Sequence, residues 1–341
     1  MTPEAVGGRA RRRRFSSLPW QGLLLCVAAL PSVVVAQEGA SRDPADGMGW
    51  LRRAAAAAQQ VSYSGVFVYQ HGSTVESSRI AQRVDSSGRY EKLEALSGPP
   101  REIVRQNGEV TCYFPDAKVA RIEKGQPRRF PAVVPDELSG IAESYTVVRG
   151  DLDRVAGYDC RVTRLEPKDK LRYQHSICVE LASGLPLRAG TYDENRNLVE
   201  MFAFSQVSIG ANVSRSQVKS RYNANGPGWR LDRSEAGDGA SADTGWVVSN
   251  PPAGFRKILE TRRIIQGRSA AHIVLSDGIA AISVFVEPAV PAGAKVQPES
   301  LQQGAINVYS RMVADHLVRT LGDAPSETIR LIGNSVSARP R

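Results

Sequence analysis

Four histidines (His71, His175, His272 and His316) and four cysteines are the residues best suited to metal or nucleophile chemistry, and their spacing supplies neither. The histidines lie far apart, and none has a second ligand-type residue at metal spacing. His71 falls in an expected turn and His175 and His272 in expected strands, so solvated or packed imidazoles are the plain reading. No G-x-S-x-G, H-E-x-x-H, P-loop, C-x-x-C or helix-opening G-x-G-x-x-G occurs. The acidic pairs Asp151/Asp153 and Asp193-Glu194 read as turn residues, where short polar side chains set backbone geometry. Nothing selects a catalytic carboxylate pair. The expectation is a binding protein, not an enzyme, with no cofactor and no metal.

Cys112, Cys160 and Cys178 remain once a leader containing Cys26 is set aside. An odd count in an oxidising compartment suggests one bridge and one leftover thiol. Cys160 and Cys178 flank Arg161–Ile177, whose middle, Glu166-Pro167-Lys168-Asp169-Lys170, reads as a turn. Two strands folded about it bring the cysteines nearly opposite. A cross-strand bridge then needs Cα atoms within about 7 Å; two buried free thiols are the alternative.

Two features offer binding chemistry. Phe67, Tyr69, Tyr113, Phe202 and Phe204 are candidates for an apolar, acyl-chain-binding face. Residues two apart on a strand share a face, which pairs Phe67 with Tyr69 and Phe202 with Phe204. Core packing is the simpler use of such residues. Trp246, Phe255, Arg256, Lys257, Arg262 and Arg263 combine aromatic and cationic side chains in the proportions of an interface anchor. A solvated strand face is the alternative.

These residues must be positioned mostly by strands. Trp50-Leu51-Arg52-Arg53 and the alanines 54–58 predict a helix. Strands are expected at Ser62–Gln70, Ser77–Val84, Arg89–Leu96, Arg101–Gln106, Glu109–Phe114, Val119–Glu123, Asp159–Leu165, Arg172–Glu180, Leu185–Tyr192 and Asn197–Val207. Asn107-Gly108 between alternating runs is a strong hairpin signal, and Pro135–Tyr145 reads as helical or irregular. Short, sequential, turn-separated strands imply an antiparallel meander of about eight to ten strands, and a sheet that large curls into a barrel or is covered. Polar, glycine-rich residues 211–244 read as a linker, with a strand inside it at Val213–Tyr222. A second region, 245–341, carries strands at Phe255–Ile265, His272–Ser276, Ile279–Glu287, Ile306–Ser310, Val313–Leu321 and Glu327–Ile332. A helix at Pro298–Gln303 or the C-terminal end is an option. The domains are thus 47–210 and 245–341, an α+β arrangement.

The first 36 residues set the compartment. Arg9 and Arg11–Arg14 precede the apolar run Leu23–Val35, which ends in Val34-Val35-Ala36. That is a secretory signal peptide, too short and proline-broken for a spanning helix. Cleavage after Ala36 delivers the rest to a bacterial periplasm. The leader's five arginines and one glutamate account for four of the net +9 charges, leaving about +5. This mild excess suits an acidic partner or anionic lipid and is no nucleic-acid footprint.

In order, Gly49-Trp50-Leu51, Tyr63-Ser64-Gly65-Val66-Phe67-Val68-Tyr69, Gly98–Val104, Leu171-Arg172-Tyr173 and Ser183-Gly184-Leu185-Pro186-Leu187 resemble the N-terminal part of the MucB/RseB family. The C-terminal resemblance rests on Trp246, Pro251-Pro252-Ala253-Gly254-Phe255, Ser276-Asp277-Gly278, Ile282–Glu287 and Gly304–Ser310. The resemblance implies a half-open antiparallel barrel with plugging helices, similar to lipoprotein carriers, plus a smaller C-terminal β-rich domain. It further implies a periplasmic regulator that binds the periplasmic domain of a single-span anti-sigma factor. The regulator shields that domain from site-1 proteolysis and so restrains the envelope-stress sigma factor. Lipid or lipopolysaccharide is the expected release signal, and homo-oligomerisation is an option. A periplasmic lipid or lipoprotein carrier is the alternative.

Overall fold

The computed structural model describes residues 46–124, 130–135, 137–210, 212–233, 243–265, 267–288 and 299–339. The expected leader and its cleavage after Ala36 lie outside them. Helix α1 (Gly47–Gln60) opens on Asp46, whose carboxylate accepts from Gly49 N at 2.6 Å, a side-chain cap on an orphan amide. Its apolar face, Trp50, Leu51, Ala54 and Ala58, is fully buried or nearly so.

The meander follows: β1 (Tyr63–His71), β2 (Thr74–Asp85), β3 (Gly88–Ala95), β4 (Glu102–Gln106), β5 (Glu109–Phe114) and β6 (Val119–Lys124). A one-turn helix, α2 (Ile141–Ser144), leads into β7 (Tyr145–Val155), β8 (Tyr158–Pro167), β9 (Gln174–Glu180), β10 (Pro186–Tyr192) and β11 (Leu198–Ile209). With β12 (Arg230–Arg233) these form one twelve-stranded sheet, ordered β12-β6-β5-β4-β3-β2-β1-β11-β10-β9-β8-β7. All neighbours are antiparallel except β12 on β6. The sheet curls strongly. β7 and β11 are four places apart, about 19 Å in a flat sheet, yet they approach within 8 Å between Cα atoms. Among the described residues β7 and β12 are the two ends of the sheet, so the barrel is half open. Helix α1 packs on β7, β8 and β10, with Trp50, Leu51 and Ala54 against Leu165, Ile177 and Val179.

The smaller sheet runs β14-β15-β16-β19-β18-β17, all antiparallel: β14 (Arg256–Ile265), β15 (Arg268–Ser276), β16 (Ala281–Pro288), β17 (Glu299–Gln303), β18 (Ile306–Val313) and β19 (His316–Gly322). Helix α3 (Ser326–Asn334) packs on β18 and β19, and β13 (Trp246–Val248) pairs with β20 (Val336–Ala338). Among the described residues no helix is long and apolar enough to cross a membrane.

Four local expectations are corrected. Glu327–Ile332 is helical, because Thr328, Ile329, Ile332 and Gly333 bury one side at helical spacing. Glu299–Gln303 is a strand, and of the two helix options it is the C-terminal end that is helical, in α3. Val213–Tyr222 forms turns that lie on the large sheet, with Val213 and Val218 packed on Ala81. Asp151 and Asp153 sit inside β7, where an irregularity between Arg149 and Leu152 absorbs Gly150.

Candidate functional site

The aromatic residues converge on the inner face of the curled sheet. Phe67 on β1 lies 6.2 Å from Phe204 and 6.3 Å from Phe202 on β11, and Tyr69 stacks on Phe202 at 4.5 Å. Tyr113 does not join them. It alternates out of phase with Val110 and Cys112, which enter the core, and lies on the other face with Tyr222 at 6.3 Å and Trp229 at 6.1 Å. A residue that sequence reasoning passed over completes the inner cluster. Phe130, 2% exposed, sits 5.2 Å from Phe67, 5.8 Å from Phe202 and 5.0 Å from Phe204. The apolar face is therefore filled by the chain's own phenyl ring.

The cysteines belong to the same core. Cys160 on β8 and Cys178 on β9 are joined, with Cα atoms 5.4 Å apart, while Cys112 is a buried thiol. Their register is diagonal, Cys160 facing Glu180 and Cys178 facing Val162.

Three successive residues between β8 and β9 connect the large sheet to the smaller one. Leu171 O accepts from Thr328 Oγ1 of α3 at 2.8 Å. The Arg172 guanidinium binds Asp277 Oδ2 at 2.6 Å, donates to Ala253 O, pairs with Asp169 and lies 4.7 Å over the Phe255 ring. Tyr173 Oη accepts from Asn307 Nδ2 at 2.9 Å. Asp277 also accepts from Tyr145 Oη at 3.3 Å and from the amides of Ile279 at 3.0 Å and Ala280 at 2.8 Å. Burial first, then the Asp277 carboxylate, pushes the Tyr145 phenol well above its ordinary range. Gly254 has φ +85°, and a Cβ there would collide with Ser144 Oγ, so only glycine passes this close. A second bridge forms beside the Tyr173–Asn307 contact: Glu200 Oε2 accepts from Tyr69 Oη at 2.9 Å and from Ala305 N at 3.2 Å. Tyr69 thus links the aromatic cluster to the β17–β18 turn.

The basic candidates divide. Phe255 is buried beneath Arg172, and half-buried Trp246 packs on His316 at 5.0 Å. Arg256 pairs with Glu143 of α2 at 2.8 Å, and Lys257 pairs with Glu260. Arg262 and Arg263, adjacent on a strand, point to opposite faces. Arg262 is exposed and donates to Thr244 O at 3.0 Å; Arg263 is half-buried on the His272 side. Strand β14 is an end of its sheet among the described residues, with Ile258 64% and Ile264 67% exposed. It offers unpaired backbone groups between cations and large apolar side chains, the composition of an edge that accepts another strand.

The described residues hold no group of three His, Cys, Asp or Glu able to bind a metal. Burial lowers His175 to about 4, and burial with Arg263 nearby lowers His272 to about 4. Both rings are neutral at ordinary pH.

A family model described as the MucB/RseB N-terminal domain matches residues 46–222, and one described as the MucB/RseB C-terminal domain matches 240–337. The chain is 28% identical to the sigma factor AlgU regulatory protein MucB of Pseudomonas aeruginosa, across 92% of this chain and 96% of that protein. It is 25% identical to the sigma-E factor regulatory protein RseB of Haemophilus influenzae, across 91% and 95%. Among solved structures it is similar to MucB in complex with MucA(peri), at 27% identity and TM-score 0.70, covering 87% of this chain and 100% of that one.

Proposed function

This chain belongs to the MucB/RseB family, and from that premise we propose that it is a periplasmic regulator that binds the periplasmic domain of a membrane anti-sigma factor. Bound there, it withholds the anti-sigma factor from site-1 proteolysis and restrains the envelope-stress sigma factor. The observation that carries this reading is the likeness over both parts of the chain to MucB solved with MucA(peri). A carrier would need only the large sheet; here both sheets match. The work is steric, and no bond is made or broken.

Within that reading, 245–341 is the partner-binding region, 211–244 the connection and 47–210 the lipid-responsive region. The exposed β14 edge, through Arg262 and Ile264 with Arg256 and Lys257 at one end, supports it as the docking edge: cations steer an acidic segment and the open edge hydrogen-bonds its backbone. The Phe67, Phe202 and Phe204 face supports an acyl chain as the release signal. Residues 1–36 act as the cleaved leader. Calorimetric titration of residues 37–341 with the anti-sigma factor's periplasmic domain tests the reading: saturable binding is expected, and its absence refutes it.

A further inference from the structure

We infer that residues 130–135 and 137–145 form a strap that occupies the acyl-chain site at one end and holds the two sheets together at the other. Binding of an acyl chain therefore loosens the joint between the sheets. The inference rests on the lipid-release reading above and gives it a route.

At its first end the strap inserts the Phe130 ring among Phe67, Phe202 and Phe204, all within 5.8 Å or less of it. An alkyl chain entering this face needs the room that the ring now fills, because protein interiors hold few voids. Between its ends the described residues of the strap are held by apolar contacts. Val133 touches both the aromatic core and the core under α1, and Val134, Leu138 and Ile141 pack with Trp50 and Leu51.

At its last end the strap meets the smaller sheet four times within five residues. Ile141 belongs to a core against which Ile279 of the β15–β16 turn packs. Glu143 pairs with Arg256 at 2.8 Å. Ser144 Oγ fits the space at Gly254 that a Cβ would fill. Tyr145 Oη donates to Asp277 at 3.3 Å, on the carboxylate that holds Arg172. One short stretch thus reads the state of the apolar face and writes it onto the joint.

A ligand shifts such an equilibrium only by preferring one state. An acyl chain prefers the state with Phe130 withdrawn; the docked joint prefers Phe130 seated. The two therefore oppose each other, and reciprocally: a bound acyl chain weakens the docked joint by the same factor by which the docked joint weakens acyl binding.

The test uses residues 37–341, lauric acid below its micelle concentration and hydrogen exchange read by mass spectrometry. Laurate is expected to speed exchange across 137–145 and 276–280 by about tenfold or more. Phe130→Ala is expected to bind laurate at least about fivefold tighter, within the usual range of couplings. Tyr145→Phe, which removes one hydroxyl and spares the fold, should tighten it in the same direction. Absence of laurate binding overturns both this inference and the lipid-release reading. Laurate that binds and displaces the anti-sigma domain, while 137–145 exchanges unchanged and both variants bind laurate as before, overturns the strap alone.

Discussion

Arg172 Nε and Asp277 Oδ2 lie 2.6 Å apart with side chains 1% and 0% exposed, so a buried ion pair joins the β8–β9 connection of one sheet to the β15–β16 turn of the other. Desolvation cancels much of the attraction in such pairs, but removing one partner strands the other charge. Arg172→Ala should lower stability by about 3–5 kcal/mol in urea titration, or split the unfolding into two transitions. Asp277→Ala should do the same and also free the Ile279 and Ala280 amides, which hydrogen exchange in that turn would report.

The bridge between Cys160 and Cys178 closes a loop with a sequence separation of 18. Chain-entropy reasoning puts its worth at about 3 kcal/mol. The Cys160→Ala/Cys178→Ala double variant should unfold at lower urea, and dithiothreitol should then leave its midpoint unmoved while lowering that of the natural chain. Buried Cys112 should react with a thiol reagent only as the chain unfolds.

His272, 5% exposed and stacked at 4.2 Å on Phe285, is held at about 4 by burial and then Arg263. The unfolded ring takes its proton near 6.5, so the unfolded chain binds more protons between those values. Stability is thus lost as pH falls from about 6.5 to 4, by at most about 3 kcal/mol for this ring. In His272→Gln the urea midpoint should fall less over that interval than in the natural chain. His175, lowered to about 4 by burial, should show the same sign.

On β14, Arg262 and Ile264 share the exposed face and Arg263 does not. Arg262→Glu should weaken binding of the anti-sigma periplasmic domain about tenfold and flatten its salt dependence, since an exposed cation acts mainly through steering. An unchanged affinity would remove β14 from the interface.

The meander was legible because its turns carry their own chemistry: Asn107 at φ +48° and Gly108 at +93° need those residue types, and the flanking strands alternate cleanly. Strand β7 is not legible because Gly150, Asp151 and Asp153 resemble a turn, whereas a bulge accommodates them. Alternation along Val110, Cys112 and Phe114 places Tyr113 on the other face, and the sequence carries that signal. Phe130 was not legible, since a phenylalanine in an irregular stretch has no periodicity to say where it points. The Arg172–Asp277 pair spans 105 residues, and only the fold brings its halves together. The motifs around those two residues carried the family resemblance without revealing that they touch.

Cleavage of the anti-sigma factor's periplasmic domain by the site-1 protease, followed with and without residues 37–341, reads out the proposed shielding. The chain should slow cleavage in proportion to the fraction bound, and added lipopolysaccharide should restore the rate. Cleavage that proceeds at one rate whether or not the chain is bound would contradict it.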